Sequence, residues 1–307
     1  MNLLVGATGF VGGHLVEYLF QQGEISKGVF RKGSHLKILD ANGVQGIEAD
    51  LLNHHSLHEA MEGVDIVYNL ASPMPGADTE FAKANTEGIL NLLEVAAEAK
   101  VKTFVHLSTL DVYGLGSRTV SAGDPFSPSN EYQRSKAEAE RLLQEFSKRN
   151  SVPSIVVIRP ARAVGSRDWS LVVPILQMIE AKKVVLPAGE PMSFSHPRDI
   201  AQAMYKGATG SLPTYSSFLV KSFDSTPEEV ARGLASALGK NADFKKQGLF
   251  GGSRLPKYTA EQIGSSTRIE VQSSWKDLGY APEYDLGKTC EEVAKWYKKE
   301  PWVVENT

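Results

Sequence analysis

Tyr132 and Lys136 stand four residues apart in "NEYQRSKAE" (130–138), a segment whose residues follow the pattern of a helix. At that spacing the two side chains lie on one helix face, one turn apart. A tyrosine hydroxyl ordinarily titrates at about pH 10, too high for a base at neutral pH. A nearby lysine ammonium favours tyrosinate and lowers this pKa. The pair is therefore a candidate for proton transfer, if the rest of the chain supplies a reaction.

The first half of the chain alternates short apolar runs with helical patterns. The run 64–72 ("VDIVYNLAS") is typical of a parallel strand covered by helices on both faces. Predicted strands lie at 2–6, 27–31, within 43–50, and at 64–72, 102–109 and 154–160. Predicted helices lie at 10–23, 56–63, 78–100 and 128–148. This alternation predicts the α/β class with a doubly wound parallel sheet.

A glycine-rich turn, "GATGFVG", separates the first predicted strand from the first predicted helix. Glycines at this place let the backbone approach a pyrophosphate, whose charge is met by the helix N-terminus. The strand–turn–helix context is what distinguishes a dinucleotide site from an ordinary turn. The cofactor contacts predicted in this turn are Gly6, Thr8, Gly9, Phe10, Val11 and Gly12.

The second predicted strand ends on two cations, Arg31 and Lys32. An NAD site carries Asp or Glu at about this distance from the glycines, whereas a cation suits the 2′-phosphate of NADP. The sequence therefore favours NADP(H) over NAD, with solvated loop charges as the alternative interpretation. Asp50, followed by Leu51, is expected to contact the adenine end of the cofactor or to cap the next helix.

A nicotinamide enzyme needs a group that moves a proton while hydride is transferred. The positive nicotinamide ring is predicted to act with the Lys136 ammonium in lowering the pKa of Tyr132. Tyr132 is predicted to be the acid in reduction and the base in oxidation, and Lys136 could also bind the nicotinamide ribose. Ser108 and Thr109 lie where the fifth predicted strand ends, at the edge where parallel sheets bind ligands. Strand alternation points them to opposite sides, so only one can face the nicotinamide.

These motifs together resemble the extended short-chain dehydrogenases/reductases, over nearly the whole chain. This superfamily contains nucleotide-sugar epimerases, sugar dehydratases, 3β-hydroxysteroid dehydrogenases and dihydroflavonol reductases. The resemblance rests on "GATGFVG", "ADL", "YNLAS", "ANTEG", "LSTLDVYG", "YQRSK", "IRPARAVG", "HPRDIA" and "WKDLGYAPEYDL", which occur in this order.

The resemblance implies roles for further residues. It puts the catalytic Ser/Thr on Thr109, with Ser108 second, and lets Pro160 approach the nicotinamide amide. It also implies that the cofactor is lined by Leu70, Ala71 and Ser72. The helices predicted at 78–100 and 130–149 resemble those that form the homodimer interface of the family.

The second half has a less regular pattern, with helices predicted at 168–183, 198–208, 224–239, 273–280 and 286–300 and a strand at 217–222. Asp199 is expected to cap the second of these helices. We predict a dinucleotide-binding Rossmann domain over 1–165 plus about 194–222. A smaller, irregular α/β C-terminal lobe, over about 166–193 and 223–307, would bind the substrate.

The branch of the superfamily is less sharply indicated. Sugar dehydratases carry Asp-Glu after the catalytic threonine, whereas this chain has Leu110 and Asp111, which argues against dehydration. Arg31 and "LASPMP" (70–75) favour the dihydroflavonol-reductase and 3β-hydroxysteroid-dehydrogenase-like branch, and Pro73, Met74, Pro75 and Phe126 would suit an apolar substrate or pack within loops. A nucleotide-sugar 4-epimerase with tightly bound NAD is the alternative, for which Arg254 and Lys257 could supply cations. A cofactor-binding sensor without catalysis is the third hypothesis.

Composition excludes several classes of protein. The net charge of −3 and pI near 6.2 argue against nucleic acid or anionic membrane as a partner, and no apolar run is long enough to cross a bilayer. A single cysteine, Cys290, precludes an intrachain disulfide and fits a reducing compartment, so we expect a cytoplasmic protein acting on a small molecule. No metal is predicted: His54 and His58 have suitable spacing, but the resemblance places their helix outside the sheet.

Overall fold

The computed structural model of the 307-residue chain describes residues 1–34, 36–72, 80–187, 189–246, 255–270 and 274–300. A parallel sheet of seven strands forms its centre. In chain order the strands of this sheet are β1 (Asn2–Val5), β2 (Ser26–Phe30), β3 (Gln45–Glu48), β4 (Ile66–Asn69), β5 (Thr103–Leu107), β7 (Ser154–Pro160) and β11 (Tyr215–Val220). Their spatial order is β11-β7-β5-β4-β1-β2-β3, and every neighbouring pair is parallel. The predicted strands are thus confirmed: β7 has the predicted bounds, β2 and β11 are shifted by one and two residues, and the others are shorter than predicted.

Twelve α-helices accompany the sheet in the described residues. They are α1 (Phe10–Gln21), α2 (Lys37–Ala41), α3 (His54–Ala60), α4 (Glu80–Asn85), α5 (Glu87–Glu98), α6 (Glu131–Phe146), α7 (Val172–Glu180), α8 (Pro197–Thr209), α9 (Pro227–Leu238), α10 (Lys257–Ser265), α11 (Ser274–Leu278) and α12 (Leu286–Lys299). A 3₁₀ turn at Leu110–Tyr113 follows β5.

Helices cover both faces of the sheet, because adjacent side chains of each buried strand point to opposite sides. Phe104 of β5 packs in the core beneath α3, α5 and α6, whereas Val105 packs in the core beneath α1 and α8. The predicted doubly wound α/β Rossmann fold is confirmed. The strand order reverses between β1 and β4, and the crevice at such a switch point is where ligands bind in this class of sheet.

The single helix predicted at 78–100 is wrong for the described residues. Two helices, α4 and α5, replace it, with a break at Thr86, the N-cap residue of α5 (φ −119°, ψ −80°). Thr86 and Gly88 are weak helix formers, and Gly88 fits closely against the Leu51 side chain. Residues 78 and 79 of the prediction lie outside the described residues.

The predicted cap of α8 is also wrong. His196 is the N-cap residue, its Nδ1 accepting from the backbone N–H of Arg198, and Pro197 takes the first helical position. Asp199 is buried within the first turn and accepts from the backbone N–H groups of Glu283 and Tyr284. Its carboxylate therefore fastens the C-terminal segment to the sheet.

The remaining strands form three small sheets. They are β6 (Thr119–Val120) with β14 (Arg268–Ile269), β8 (Arg162–Ala163) with β10 (Met192–Ser195) and β12 (Phe223–Ser225), and β9 (Lys183–Leu186) with β13 (Asp243–Lys246). Helices α7, α9 and α12 pack around a core of their own, which includes the buried Cys290. The exact division into two lobes stays a prediction. Among the described residues, no helix has the length and apolarity needed to cross a bilayer.

Candidate active site

The glycine turn joins β1 to α1 at the switch point of the sheet. Gly6 has a left-handed backbone (φ +88°), and the Gly9 N–H donates to the Gly6 carbonyl over 3.1 Å. A Cβ at Gly6 would lie 2.8 Å from the backbone nitrogen of Ala71, which follows β4. No side chain caps α1 at Gly9, so its first N–H groups face the turn. The turn is therefore a cradle of bare backbone, and it fits a cofactor pyrophosphate.

Replacing Gly12 by Ala is expected to damage both the fold and the cofactor site. The new Cβ would lie 2.0 Å from the Gly6 carbonyl oxygen, so the turn must deform. We expect a loss of about 1–3 kcal/mol in the free energy of unfolding in urea and a Kd for NADPH at least about tenfold higher by fluorescence titration. Gly13→Ala is the matched control, because its nearest neighbours lie at 3.5 Å, an ordinary contact. Equal effects of the two variants would contradict the role of the glycine turn as a pyrophosphate-binding cradle.

The ends of β2 and β3 form the wall of a depression of about 590 Å³. Arg31 and Lys32 line one side of it, and Glu48 and Asp50 line the other. In the described part of the chain, neither cation forms an ion pair. The alternative role of Asp50 as a helix cap is wrong, because the side chain of Asn53 caps α3 and Asp50 instead accepts from the Leu52 N–H over 2.9 Å.

All the residues predicted to contact the cofactor lie in the turn after β1, in the first turn of α1, after the strands β2 to β5, at the end of β7, or on α6. Leu51 follows β3, Leu70 to Ser72 follow β4, Ser108 and Thr109 follow β5, and Pro160 ends β7. Because parallel strands end at one edge, the sheet brings these positions to a common rim.

Helix α6 carries Tyr132 and Lys136, and it begins where the Asn130 side chain accepts from the Gln133 N–H. The Tyr132 ring meets the Tyr258 ring edge-on, with centroids 5.4 Å apart. The Lys136 side chain is 1% exposed and donates from Nζ to the Leu107 carbonyl over 2.7 Å. Lys136 thus contacts the end of β5, whereas Tyr132 contacts α10.

The protein groups alone do not lower the pKa of Tyr132, and the lowering predicted with the nicotinamide ring bound stays a prediction. Burial raises this pKa most, and the negative charge of Asp111 raises it further, while Ser72 and Arg162 act in the opposite direction. Burial lowers the pKa of Lys136 to about 8, with Glu140 opposing. Tyr132 consequently holds its proton through neutral pH, as an acid does.

Ser108 and Thr109 face different surroundings, as strand alternation predicts. The buried Ser108 hydroxyl donates to Glu140 over 2.5 Å, and Glu140 in turn forms a buried ion pair with Arg159 at 2.6 Å. Thr109 is half-buried at the rim and accepts from the Asp111 N–H over 3.2 Å. The Ser108 hydroxyl is therefore already hydrogen-bonded to Glu140, below the rim. The Thr109 hydroxyl is the one that remains at the rim.

Sequence reasoning missed a group that closes the site from the C-terminal half. The buried Asp111 carboxylate accepts from the Tyr258 hydroxyl over 2.6 Å and from the Gln262 side-chain amide over 2.5 Å. Burial raises the pKa of Asp111. The sequence contains one signal, since Tyr258 and Gln262 stand four apart on α10, but nothing in it points to a partner near residue 111.

Several residues predicted to contact the substrate either have other contacts or lie outside the described residues. Pro73, Met74, Pro75 and Arg254 lie outside the described residues. Phe126 packs edge-on against Tyr113 and lies 5.0 Å from the Arg159 guanidinium carbon, as in loop packing. Lys257 is 93% exposed and lies 4.0 Å from Glu261.

The histidines of helix α3 are exposed on its outer surface. Its His58 Nε2 is 2.9 Å from Glu98 of α5, and the ligand-type atoms of His54, His58 and Glu98 lie within 4.8 Å of one another. All three side chains are exposed. The expectation that the chain holds no metal stays a prediction.

A Rossmann sheet with a glycine cradle, and with Tyr132 and Lys136 at the same rim, defines an extended short-chain dehydrogenase/reductase. The chain belongs to the NAD dependent epimerase/dehydratase family, whose model matches residues 2–211. The predicted superfamily is thereby confirmed.

Relatives of the chain include both reductases and epimerases. It is 30% identical to sterol demethylase protein B of Methylococcus capsulatus over 55% of this chain and 53% of that protein. It is 29% identical to N-acetyl-alpha-D-glucosaminyl-diphospho-ditrans,octacis-undecaprenol 4-epimerase of Escherichia coli O157:H7, over 60% and 55%. It is 26% identical to 4-hydroxy-2-methyl-3-oxo-4-farnesyl-3,4-dihydroquinoline-1-oxide ketoreductase of Stigmatella aurantiaca, over 59% and 56%. The matched parts span about half the length of these relatives.

The fold resembles that of solved epimerases throughout its length. UDP-glucose 4-epimerase from Bifidobacterium longum, solved in complex with NAD+ and UDP, superposes with a TM-score of 0.81 over 98% of both chains at 18% identity. At that identity the likeness establishes the fold.

Proposed function

We propose that this chain is an NADP(H)-dependent oxidoreductase that interconverts a ketone and a secondary alcohol. The observation that carries the proposal is the pair Arg31 and Lys32 on the wall of the depression after β2. A guanidinium there suits a 2′-phosphate, whereas an NAD site would have an acid after β2. Freely exchanging NADPH is the cofactor of a reductase rather than of an epimerase that must keep its NAD bound.

The residues of the chain divide the chemistry between them. The bound nicotinamide supplies or accepts the hydride. Tyr132 donates its proton to the developing alkoxide oxygen in reduction and takes it back in oxidation. Its raised pKa favours the acid role. Thr109 donates its hydroxyl hydrogen to the same substrate oxygen, and Lys136 supplies positive charge beneath Tyr132.

An apolar ketone is the substrate class that we propose. Around Tyr132 the described residues provide the Tyr258 ring, and the nearby cation Arg162 is already paired with Asp168 at 3.1 Å. A nucleoside diphosphate would need cations that are free to meet its phosphates. The aromatic ring beside the proton donor suits a hydrophobic carbonyl compound instead.

Two assays test the function directly. Apolar ketones and nucleotide sugars would each be incubated with the protein and NADPH or NADH, following cofactor oxidation and sugar epimerisation. Ketone-dependent oxidation of NADPH is the expected result. Epimerisation, with NAD released on denaturation, would instead establish a nucleotide-sugar 4-epimerase, which the 4-epimerase relative favours. No reaction in either set would favour a cofactor-binding sensor.

Replacing Arg31 by Ser is expected to remove most of the preference for NADPH. A hydrogen bond to a charged group contributes about 1.5–3 kcal/mol, so the Kd for NADPH should rise roughly 10- to 150-fold while that for NADH changes little. Lys102→Ser changes the net charge equally at the opposite edge of the sheet, before β5, and serves as control. Parallel losses for both cofactors would argue against a 2′-phosphate contact.

We also propose that the protein is a homodimer formed through α5 and α6, by analogy with the family. Light scattering of the purified protein measures its mass directly. A cytoplasmic location stays a prediction.

A further inference from the structure

A buried histidine lies directly beneath Lys136. His106 of β5 is 0% exposed, and its Nε2 is 3.4 Å from the Lys136 Nζ. Its other nitrogen, Nδ1, is 3.2 Å from the side-chain nitrogen of Asn69, its register partner on β4. Asn69 is itself fully buried. The mechanism above uses neither residue. Both are polar, and burying a polar group costs free energy unless it is hydrogen-bonded to a partner.

The contacts of Asn69 determine which nitrogen of His106 carries hydrogen. The Ala71 backbone N–H donates to the Asn69 Oδ1 over 3.2 Å, so the NH₂ group must be the one that faces His106. The imidazole Nδ1 therefore accepts. A neutral imidazole that accepts at Nδ1 has its hydrogen on Nε2. That N–H is directed at Lys136.

This tautomer affects the protonation state of Lys136, because an ammonium has three donors and no acceptor. The Nε2–H of His106 can be accepted by the Lys136 nitrogen only when the lysine is a neutral amine. Besides His106, the charged groups that act on Lys136 are Glu140 on α6 and, beyond Glu140, Arg159 on β7. Burial and Lys136 both lower the pKa of His106, so the ring stays neutral.

We propose that Asn69 and His106 are positioning residues that hold the Nε2–H tautomer against Lys136 and so set the charge that Lys136 presents to Tyr132. The proposal deepens the proposed function and rests on it for its catalytic consequence. As the pH rises through about 8, Lys136 changes from ammonium to amine, and turnover is expected to fall over this range.

Asn69→Asp reverses the tautomer with little change of shape. The carboxylate still accepts from the Ala71 N–H, but it also requires a donor, so the hydrogen of His106 moves to Nδ1. Nε2 then accepts from the Lys136 ammonium. We expect the alkaline fall of kcat to move upward by about one pH unit or more. Asn42→Asp adds the same charge at the end of α2, where Asn42 donates to the Ile38 carbonyl, and should leave the profile unchanged.

Nitrogen-15 NMR of the ring of His106 tests the tautomer without any catalysis. The unmodified protein should show hydrogen on Nε2, and Asn69→Asp should show it on Nδ1, with an upward shift in the side-chain titration of Lys136. Hydrogen on Nδ1 in the unmodified protein would overturn the proposal even if the variant fails to fold. A reversed tautomer that leaves the titration of Lys136 unmoved would overturn it as well. Loss of the proposed function alone would appear in Tyr132→Phe and not in these spectra.

Discussion

Replacing Tyr132 by Phe is expected to lower kcat by about 10²- to 10⁴-fold, the usual contribution of a positioned acid. The substitution removes one hydroxyl and keeps the ring that packs against Tyr258. The fold and the cofactor cradle, which is built from the turn after β1, should therefore be retained. Stopped-flow and steady-state measurements of NADPH oxidation with a reactive ketone give kcat, and fluorescence titration gives the Kd for NADPH.

A matched control separates loss of the acid from loss of any tyrosine hydroxyl. Tyr205→Phe on α8 removes a hydroxyl that is 3.3 Å from Glu24, away from the rim. Its turnover should equal that of the unmodified protein. A Tyr132→Phe variant with turnover within about tenfold of the unmodified protein would contradict the assignment of the acid.

Local patterns in the sequence were sufficient to predict the strands of the sheet, but not the residues at which most of them end. Apolar runs such as 64–72 and the glycine turn are properties of neighbouring residues, and parallel strands must end at one rim. Tyr132 and Lys136 were found for the same reason, because helical spacing places them on one face. Their roles stay predictions.

The rest of the site could not be predicted because it depends on residues distant in the chain. Asp111 meets Tyr258 across 147 positions, and His106 meets Lys136 across 30. The effect of burial on the pKa of Tyr132 was missed for a related reason. Spacing identified the cation nearby, but the dominant cause is burial, which is a property of the packed site.

Glu140→Gln is expected to lower the free energy of unfolding by about 3–5 kcal/mol, since it leaves a buried guanidinium without its counter-charge. Arg159 is 5% exposed and donates from Nε to both carboxylate oxygens of Glu140, at 3.0 and 2.9 Å. Urea unfolding measures the loss. Glu138→Gln is the control on the same helix, because its pair with Arg141 is at the surface and should contribute little.

The same variant should also change the pH dependence of turnover, in the opposite direction to Asn69→Asp. Glu140 raises the pKa of Lys136 against the effect of burial, so neutralising Glu140 lowers that pKa below about 8. The ammonium is then lost at lower pH, and the alkaline fall of kcat moves down. Opposite shifts from two substitutions on different sides of Lys136 cannot arise from general instability, which would reduce turnover at every pH. Shifts of the same sign, or none, would show that Lys136 is not the group that limits turnover at alkaline pH.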